Sequence, residues 1–258
     1  MTQYERRQSI IALLRGKPGL RVTDIAATLG VSEGTIRNDL TALEEEGVLA
    51  RFHGGAVLVE RRAITHTSFS DRHREHALEK EALARAAAAL VEDGDAILLD
   101  ASSTVYYLAQ ALAHRQRLRV VTNGLDVARL LAQNPTNTVI LIGGILNPDG
   151  SSVTGLLSEQ MLQELHIQKA FVSASGFSLA SGLTEVHVEE AQLKRVAIRS
   201  ARQVYALVDS SKLGQEDLTA FARPEQLCCL LTDERLTPEW KTAIEQAGIA
   251  LTICALEA

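Results

Sequence analysis

Cysteine is scarce: the 258-residue chain has three, Cys228, Cys229 and Cys254. None stands in a C-x-x-C pair, so the usual spacings of zinc and redox motifs are missing, and all three read as small core residues on strands. Long apolar runs are missing too. The longest, such as "LARAAAALV" (83–91), fall well short of the ~18 residues of a membrane span. The opening "MTQYERRQSIIALL" lacks the apolar core and small-residue cleavage site of a secretory signal, which leaves the cytoplasm as the expected location. Positive charge is not in excess either. The net charge of −6 is the wrong sign for a uniform nucleic-acid coat. The charge is uneven, however: residues 1–62 hold nine basic and eight acidic side chains, and the acidic surplus lies entirely in the remainder. DNA attraction is local to the surface that docks, so a near-neutral head on an acidic body stays compatible with DNA. No 20–50-residue repeat is present. What is there is ordinary for a globular chain, 46% hydrophobic and 22% charged residues, enough for one or two domains.

The first 60 residues carry helical signals. Ile10, Ile11, Leu13 and Leu14 lie on a segment from Tyr4 to Arg15 that stops at "GKPG". Thr23 can cap a short helix bearing Ile25, Ala26 and Leu29, ended by Gly30, and Ser32 can cap the next. In that second helix Ile36, Leu40 and Leu43 fall at i, i+4 and i+7, one buried stripe. Glu33, Gly34, Thr35, Arg37 and Asn38 then point elsewhere. Two short helices joined at a glycine fit a helix-turn-helix, whose second helix enters the major groove. Arg37 suits guanine or phosphate, Asn38 adenine, and Thr35 either. Two short apolar runs around His53-Gly54-Gly55 predict a hairpin wing, with Arg51 and His53 in reach of phosphates. The bland alternative is a small helical bundle with a hairpin attached.

This stretch closely resembles the head of the DeoR family of bacterial transcription regulators. The matching core is "VSEGTIRNDLTALEEEG" (31–47) and the matching wing is "RFHGGA" (51–56). One departure falls on the reading surface: Asn38 stands where the family usually has a second Arg. The resemblance implies a winged helix-turn-helix over residues 1–59, with Thr23, Ser32, Glu33, Gly34, Thr35, Arg37, Asn38, Arg51 and His53 toward operator DNA.

Residues 60–75 are polar, without an apolar period, and read as a linker. From residue 76 to 258, short β-rich runs alternate with helical stretches: "AILLD", "LRVVT", "TVILIGG", "KAFVSAS", "VYALVD", "LCCLLTD" and "IALTIC". This predicts a doubly wound, mostly parallel α/β domain. Ligands of such sheets bind at the carboxyl ends of the strands. Those ends read "DASST" (100–104), "TNG" (122–124), "GG" (143–144), "SASGFS" (173–178) and "DSSK" (209–212). Hydroxyl, amide and small residues recur there with one lysine, which suits a small polyhydroxylated anion better than a flat apolar ligand. Lys212 supplies a compact cation, and Asp100, Asn123 and Asp209 can bond sugar hydroxyls. The plain readings are a strand-to-loop turn at Gly143-Gly144, a solvated Lys212, and a helix cap at Ser102 and Thr104. Glu190 and Lys194, at i and i+4, read equally as an exposed pair or as part of the site.

The body also resembles its DeoR counterpart: Phe69, Arg72 and Lys80 in an "F-x-x-R … EK" lead-in, then D-x-x-ST, TN, GG, G-x-T-E and D-x-SK. The resemblance implies a fold related to ribose-5-phosphate isomerase and glucosamine-6-phosphate deaminase that senses phosphorylated sugars. By it, Ser102, Ser103, Thr104 and Lys212 hold phosphate, while Asp100, Asn123, Gly144 and Glu185 line the rest of the pocket. Gly143 and Lys194 complete the candidate set. Ser102 stands where the family often has Gly, and its Cβ is expected to narrow a loop that favours positive φ.

The expected function is a DNA-binding regulator, a repressor of a carbohydrate-utilisation operon released by a phosphorylated sugar. It is expected to act as a homodimer or homotetramer, with no metal, cofactor or membrane. Two other classes stand beside it. One is a sugar-phosphate isomerase or deaminase with a DNA-binding head, and the other is a DNA-binding protein whose body only oligomerises. Turnover of phosphosugars would mark the first. An absence of any thermal shift with phosphorylated metabolites would mark the second.

Overall fold

In a computed structural model of the chain, the structure describes residues 3–16, 20–45, 49–52, 55–58 and 69–256. The chain divides into two compact units, 1–65 and 66–258.

The head runs α1 (Gln3–Gly16), α2 (Val22–Leu29), α3 (Glu33–Glu45), β1 (Leu49–Phe52) and β2 (Gly55–Leu58). The predicted apolar stripe is its core: Ile10, Leu14, Ile25, Ile36, Leu40 and Leu43 are buried together with Leu49 and Ala56. Gly30 takes φ +66 and returns its N–H to Ala26, closing the tight turn into α3. Ser32 caps α3 as expected, its Oγ accepting from the Thr35 N–H at 3.2 Å. Thr23 is not a cap. Arg21 is drawn into an extended bridge with Gly55, so α2 starts at Val22 and Thr23 sits exposed inside its first turn. Asp39, in the middle of α3, is buried and ties that helix to α1, accepting from Arg6 Nε at 2.5 Å and Arg7 Nε at 3.4 Å.

The body begins with α4 (Phe69–Arg74) and α5 (Ala77–Ala88). It continues as β3 (Ala96–Leu99), α6 (Ser103–Ala111), β4 (Arg119–Thr122), α7 (Leu125–Leu131) and β5 (Thr138–Leu141). A hairpin of β6 (Ile145–Leu146) and β7 (Val153–Thr154) follows, then α8 (Leu156–Gln163) and β8 (Ile167–Val172). The rest is β9 (Gly176–Ser178), β10 (Gly182–Glu185), α9 (Val188–Arg199), β11 (Ala201–Leu207), β12 (Thr219–Ala222), β13 (Cys229–Asp233), α10 (Pro238–Gln246) and β14 (Leu251–Cys254). Seven strands form one parallel sheet in the order β14-β13-β11-β8-β3-β4-β5. Its strands are short apolar runs, and successive residues face opposite layers. Ile97 and Leu99 pack with α5, α6 and α7, whereas Leu98 packs with Leu162 of α8 and Leu193 of α9.

The chain builds outward from β3 through β4 to β5, then returns to lay β8 on the other side of β3. The order therefore reverses between β3 and β8, and a crevice opens beyond their carboxyl ends. Two smaller features went unread in the sequence: the β6–β7 hairpin and an antiparallel three-stranded sheet, β12-β10-β9. Their strands are two to four residues long, too short to show a period. Part of the polar segment read as linker is helix α4. It packs on α6 through aromatic rings, Phe69 edge-on to Tyr106 at 5.7 Å and His73 stacked on Tyr107 at 4.6 Å between centroids. Of the cysteines, Cys254 is buried and Cys229 half-buried, but Cys228 is exposed because it precedes β13 rather than lying in it. Among the described residues no helix is long and apolar enough to cross a membrane.

Candidate functional site

On the head, α3 presents Glu33, Gly34, Arg37 and Asn38 to solvent, with Thr35 half-buried, all opposite the buried Ile36–Leu40–Leu43 stripe. The Arg37 guanidinium pairs with the Glu33 carboxylate at 2.8 Å, which holds it against its own helix. Ser32 Oγ lies 2.9 Å from Thr35 Oγ1. Arg51 sits on β1 directly across from Ala56. His53 lies outside the described residues.

In the body, a cavity of about 330 Å³ opens at the carboxyl ends of β3 and β8, at the switch in strand order. Asp100, Ser102, Ser103, Thr104, Asn123, Glu185, Lys194 and Lys212, drawn from five separate stretches of chain, all line it. Asp100, just past β3, is buried and fully engaged. Its Oδ1 accepts from the Ser102 N–H at 2.9 Å and the Ser102 hydroxyl at 2.5 Å, and its Oδ2 accepts from the Ser173 N–H at 2.9 Å. Ser102 is the N-cap of α6, its Oγ accepting from the Val105 N–H at 3.2 Å. Its φ is −71, so the expected conflict between a Cβ and a positive-φ loop does not arise. Ser102, Ser103 and Thr104 thus bring the first turn of α6, with its N–H groups and positive dipole end, to the cavity wall.

Of the two readings of Lys194, the structure has the one that places it in the cavity wall. It does not form a surface pair with Glu190. Its ammonium is buried, 2.6 Å from Glu185 and 3.3 Å from Asp100, and it donates to the Ser173 carbonyl at 2.8 Å. Burial alone would lower its pKa, but Glu185 and Asp100 raise it above the ordinary lysine value. Burial likewise opposes ionisation of Glu185, but Lys194, the Ser175 hydroxyl and the Val186 N–H bring it down to about 2. Glu190 instead accepts from Asn147 at 3.0 Å.

Gly143 and Gly144 do not line the cavity. Gly144 is a packing residue: a Cβ there would stand 2.5 Å from the Thr154 carbonyl and 2.2 Å from Ser158 Oγ. Gly143 serves through its carbonyl, which accepts from Ser158 at 2.7 Å.

Three cavity residues had no assigned role in the sequence reading, or only a weak one. Lys80 points inward from α5 and donates to the backbone carbonyls of Arg72 and Glu75. Burial first, and then the nearby charge of Lys212, lower its pKa to about 8. Arg72 of α4 reaches the cavity and lies 3.8 Å from Asp149. Asp209 is wholly buried, with Oδ1 accepting from Ser211 and Oδ2 without a hydrogen bond, 3.4 Å from Lys212 Nζ. Burial opposes its ionisation, but Lys212 and Ser211 keep its pKa below the usual value. The signals the sequence offered were the "F-x-x-R … EK" lead-in, which carries Arg72 and Lys80, and the strand end "DSSK", which carries Asp209.

The cavity therefore has two ends. One is a buried cluster in which the Lys194 ammonium bridges the Glu185 and Asp100 carboxylates. The other carries two crowded lysines, Lys80 and Lys212, with an unfilled carboxylate oxygen beside them.

Residues 6–62 match the DeoR-like helix-turn-helix domain, and residues 75–234 match the DeoR C terminal sensor domain. The chain is 37% identical over 253 residues to the HTH-type transcriptional regulator GolR of Listeria innocua, covering 98% of this chain and 99% of that one. It is 37% identical over 235 residues to the lactose phosphotransferase system repressor of Streptococcus mutans, covering 90% and 93%. Among solved structures, ribose 5-phosphate isomerase A from Methanocaldococcus jannaschii overlaps 53% of this chain and 54% of its own at TM-score 0.40 and 21% identity, too slight a likeness to add to the observed topology. A helix-turn-helix head, a parallel-sheet body and full-length likeness to regulators converge: the chain belongs to the DeoR family of DNA-binding transcriptional regulators, and its family activity is regulation rather than catalysis.

Proposed function

We propose that this regulator represses a carbohydrate-utilisation operon and leaves its operator when a phosphorylated sugar fills the body cavity. The carrying observation is the charge layout of that cavity. Lys80 and Lys212 crowd each other beside the first turn of α6, and a phosphate dianion there would relieve their repulsion while accepting hydroxyl and N–H donors. Asp209 Oδ2 lacks a hydrogen bond and suits a ligand hydroxyl as donor. Asn123 offers a further amide to the sugar. About 330 Å³ accommodates a monosaccharide phosphate and little more.

On the head, Arg37 and Asn38 read base edges, Ser32, Glu33, Gly34 and Thr35 face the groove at the start of α3, and Thr23, Arg51 and His53 reach phosphates. Release of DNA requires the sugar phosphate to bind the non-operator state more tightly. Two or four copies acting together in the cytoplasm, each head reading a half-site, complete the reading.

The test is a thermal-shift and operator-anisotropy screen of pentose and hexose phosphates with matching free sugars. A phosphate-dependent rise in melting temperature and loss of operator binding are expected from at least one phosphosugar, and from none of the free sugars. A Lys212→Ala chain should lose that response while still binding operator. If no phosphosugar shifts the wild type, the sensor reading fails.

A further inference from the structure

The β6–β7 hairpin and α8 carry an apolar surface that a monomer has no use for. Ile145 is 72% exposed and Leu146 54%; on α8, Leu156 is 67%, Leu157 69% and Met161 37% exposed. Leu156, Leu157 and Met161 share one face of the helix, and its opposite face buries Ser158 and Leu162. That is amphipathicity turned outward. The two elements adjoin, since Ile145 lies against Gly155 at the start of α8, where an added Cβ would sit 3.4 Å from Ile145 Cδ1.

The hairpin cannot turn this face inward, because its other side is committed to the cavity wall. Val153 exchanges hydrogen bonds with Asn123, at 3.0 Å from its N–H and 3.3 Å to its carbonyl. Asn147 donates to Glu190 at 3.0 Å, and Asp149 pairs with Arg72 at 3.8 Å. All three partners line the cavity.

The five side chains expose on the order of 600 Å² of apolar surface, at the upper limit for a monomer and near the roughly 800 Å² per partner of a standard interface. None of the five carries a charge. A patch without charge can meet its own image across a twofold axis without like-charge repulsion, as an isologous contact requires.

We propose that the β6–β7 hairpin and the outward face of α8 form a twofold interface between two copies of this chain. This names a surface for the self-association expected of a regulator whose heads read paired half-sites, and it rests on that reading only for its purpose.

The test is the mass of the full chain in solution, free of DNA and sugar, by sedimentation velocity across a micromolar dilution series. Wild type should sediment as a dimer or a multiple of one. Leu157→Glu and Ile145→Asp should weaken self-association at least tenfold, while Leu218→Glu, an equally exposed leucine outside the patch, should leave it unchanged. Hydrogen exchange of the wild type gives a second reading without any variant: amides within 145–161 should lose protection on dilution. A monomeric wild type, or wild-type mass in both Leu157→Glu and Ile145→Asp with unchanged exchange, would overturn the proposal. Because neither DNA nor sugar is present, a failed repressor reading leaves this result standing by itself.

Discussion

The head keeps its candidate DNA-reading side chains in water, whereas the body sinks its polar residues into the protein and satisfies them there. On α3, Arg37 and Asn38 are exposed, and Arg37 pairs with Glu33 on its own helix. In the body, Lys194, Glu185 and Asp100 are buried and joined across three separate stretches of chain. The difference follows from the partners. A DNA groove supplies its own counter-charges and bound water, so a reading helix needs only to be presented. A cavity for a small anion must hold its shape before the ligand arrives, so its polar groups bond one another.

The sharpest way to break this contrast is to remove one charge from each unit. Lys194→Ala strands two buried carboxylates and should cost about 3–5 kcal/mol of stability, read as a large fall in urea midpoint. Arg37→Ala should leave the midpoint within about 0.5 kcal/mol, because the pair it breaks is exposed. Equal effects of the two substitutions on unfolding would erase the contrast.

Next in size is the head's own readout. Arg37→Ala should weaken operator binding by about 1–3 kcal/mol in anisotropy titrations. A loss confined to one base position identifies an edge contact, and a loss uniform across sequences identifies a phosphate contact.

Acid and alkali separate the two ends of the cavity. Glu185 has a folded pKa lowered to about 2, so its stabilisation is present above the ordinary glutamate range and fades as pH falls toward 2. Lys80 behaves oppositely. Its folded pKa is lowered to about 8, so folding opposes its charge below that pH, and stability contributed at this site rises as pH climbs from 8 toward the ordinary lysine value. An anion bound beside Lys80 needs the ammonium, so affinity for an activating sugar phosphate should decline as pH rises through about 8. Calorimetric titration in buffers of different ionisation heat should show proton uptake near that pH.

The smallest effect belongs to Ser102→Gly. With φ at −71 and an intact cap geometry, the change should cost only a few tenths of a kcal/mol in stability. A loss of several kcal/mol would show that the Ser102–Asp100 bond holds the cavity wall together.

Much of this was legible in the chain. The strand ends carrying Asp100, Ser102, Asn123, Glu185 and Lys212 were found because apolar runs that stop at small polar residues mark where a parallel sheet opens. For Lys194 the sequence left two readings level, because its i, i−4 neighbour Glu190 offers a local partner, whereas its partners in the structure lie on β10 and beyond β3, the latter 94 residues away. Helical spacing is blind to such contacts. Gly143-Gly144 looked like a ligand loop, but the close approach it permits is to Thr154 and Ser158 of the protein itself. Asp39 escaped notice because nothing in "TIRNDL" distinguishes a carboxylate that faces α1 from one that faces water.

The Lys194 ammonium also ties together the ways this site can change. It meets Glu185, Asp100 and the Ser173 carbonyl with its three N–H donors, so none is left over. A substitution at one of these side chains alters the surroundings of the others, and its effects at two of them should not add. The three positions therefore vary as one unit.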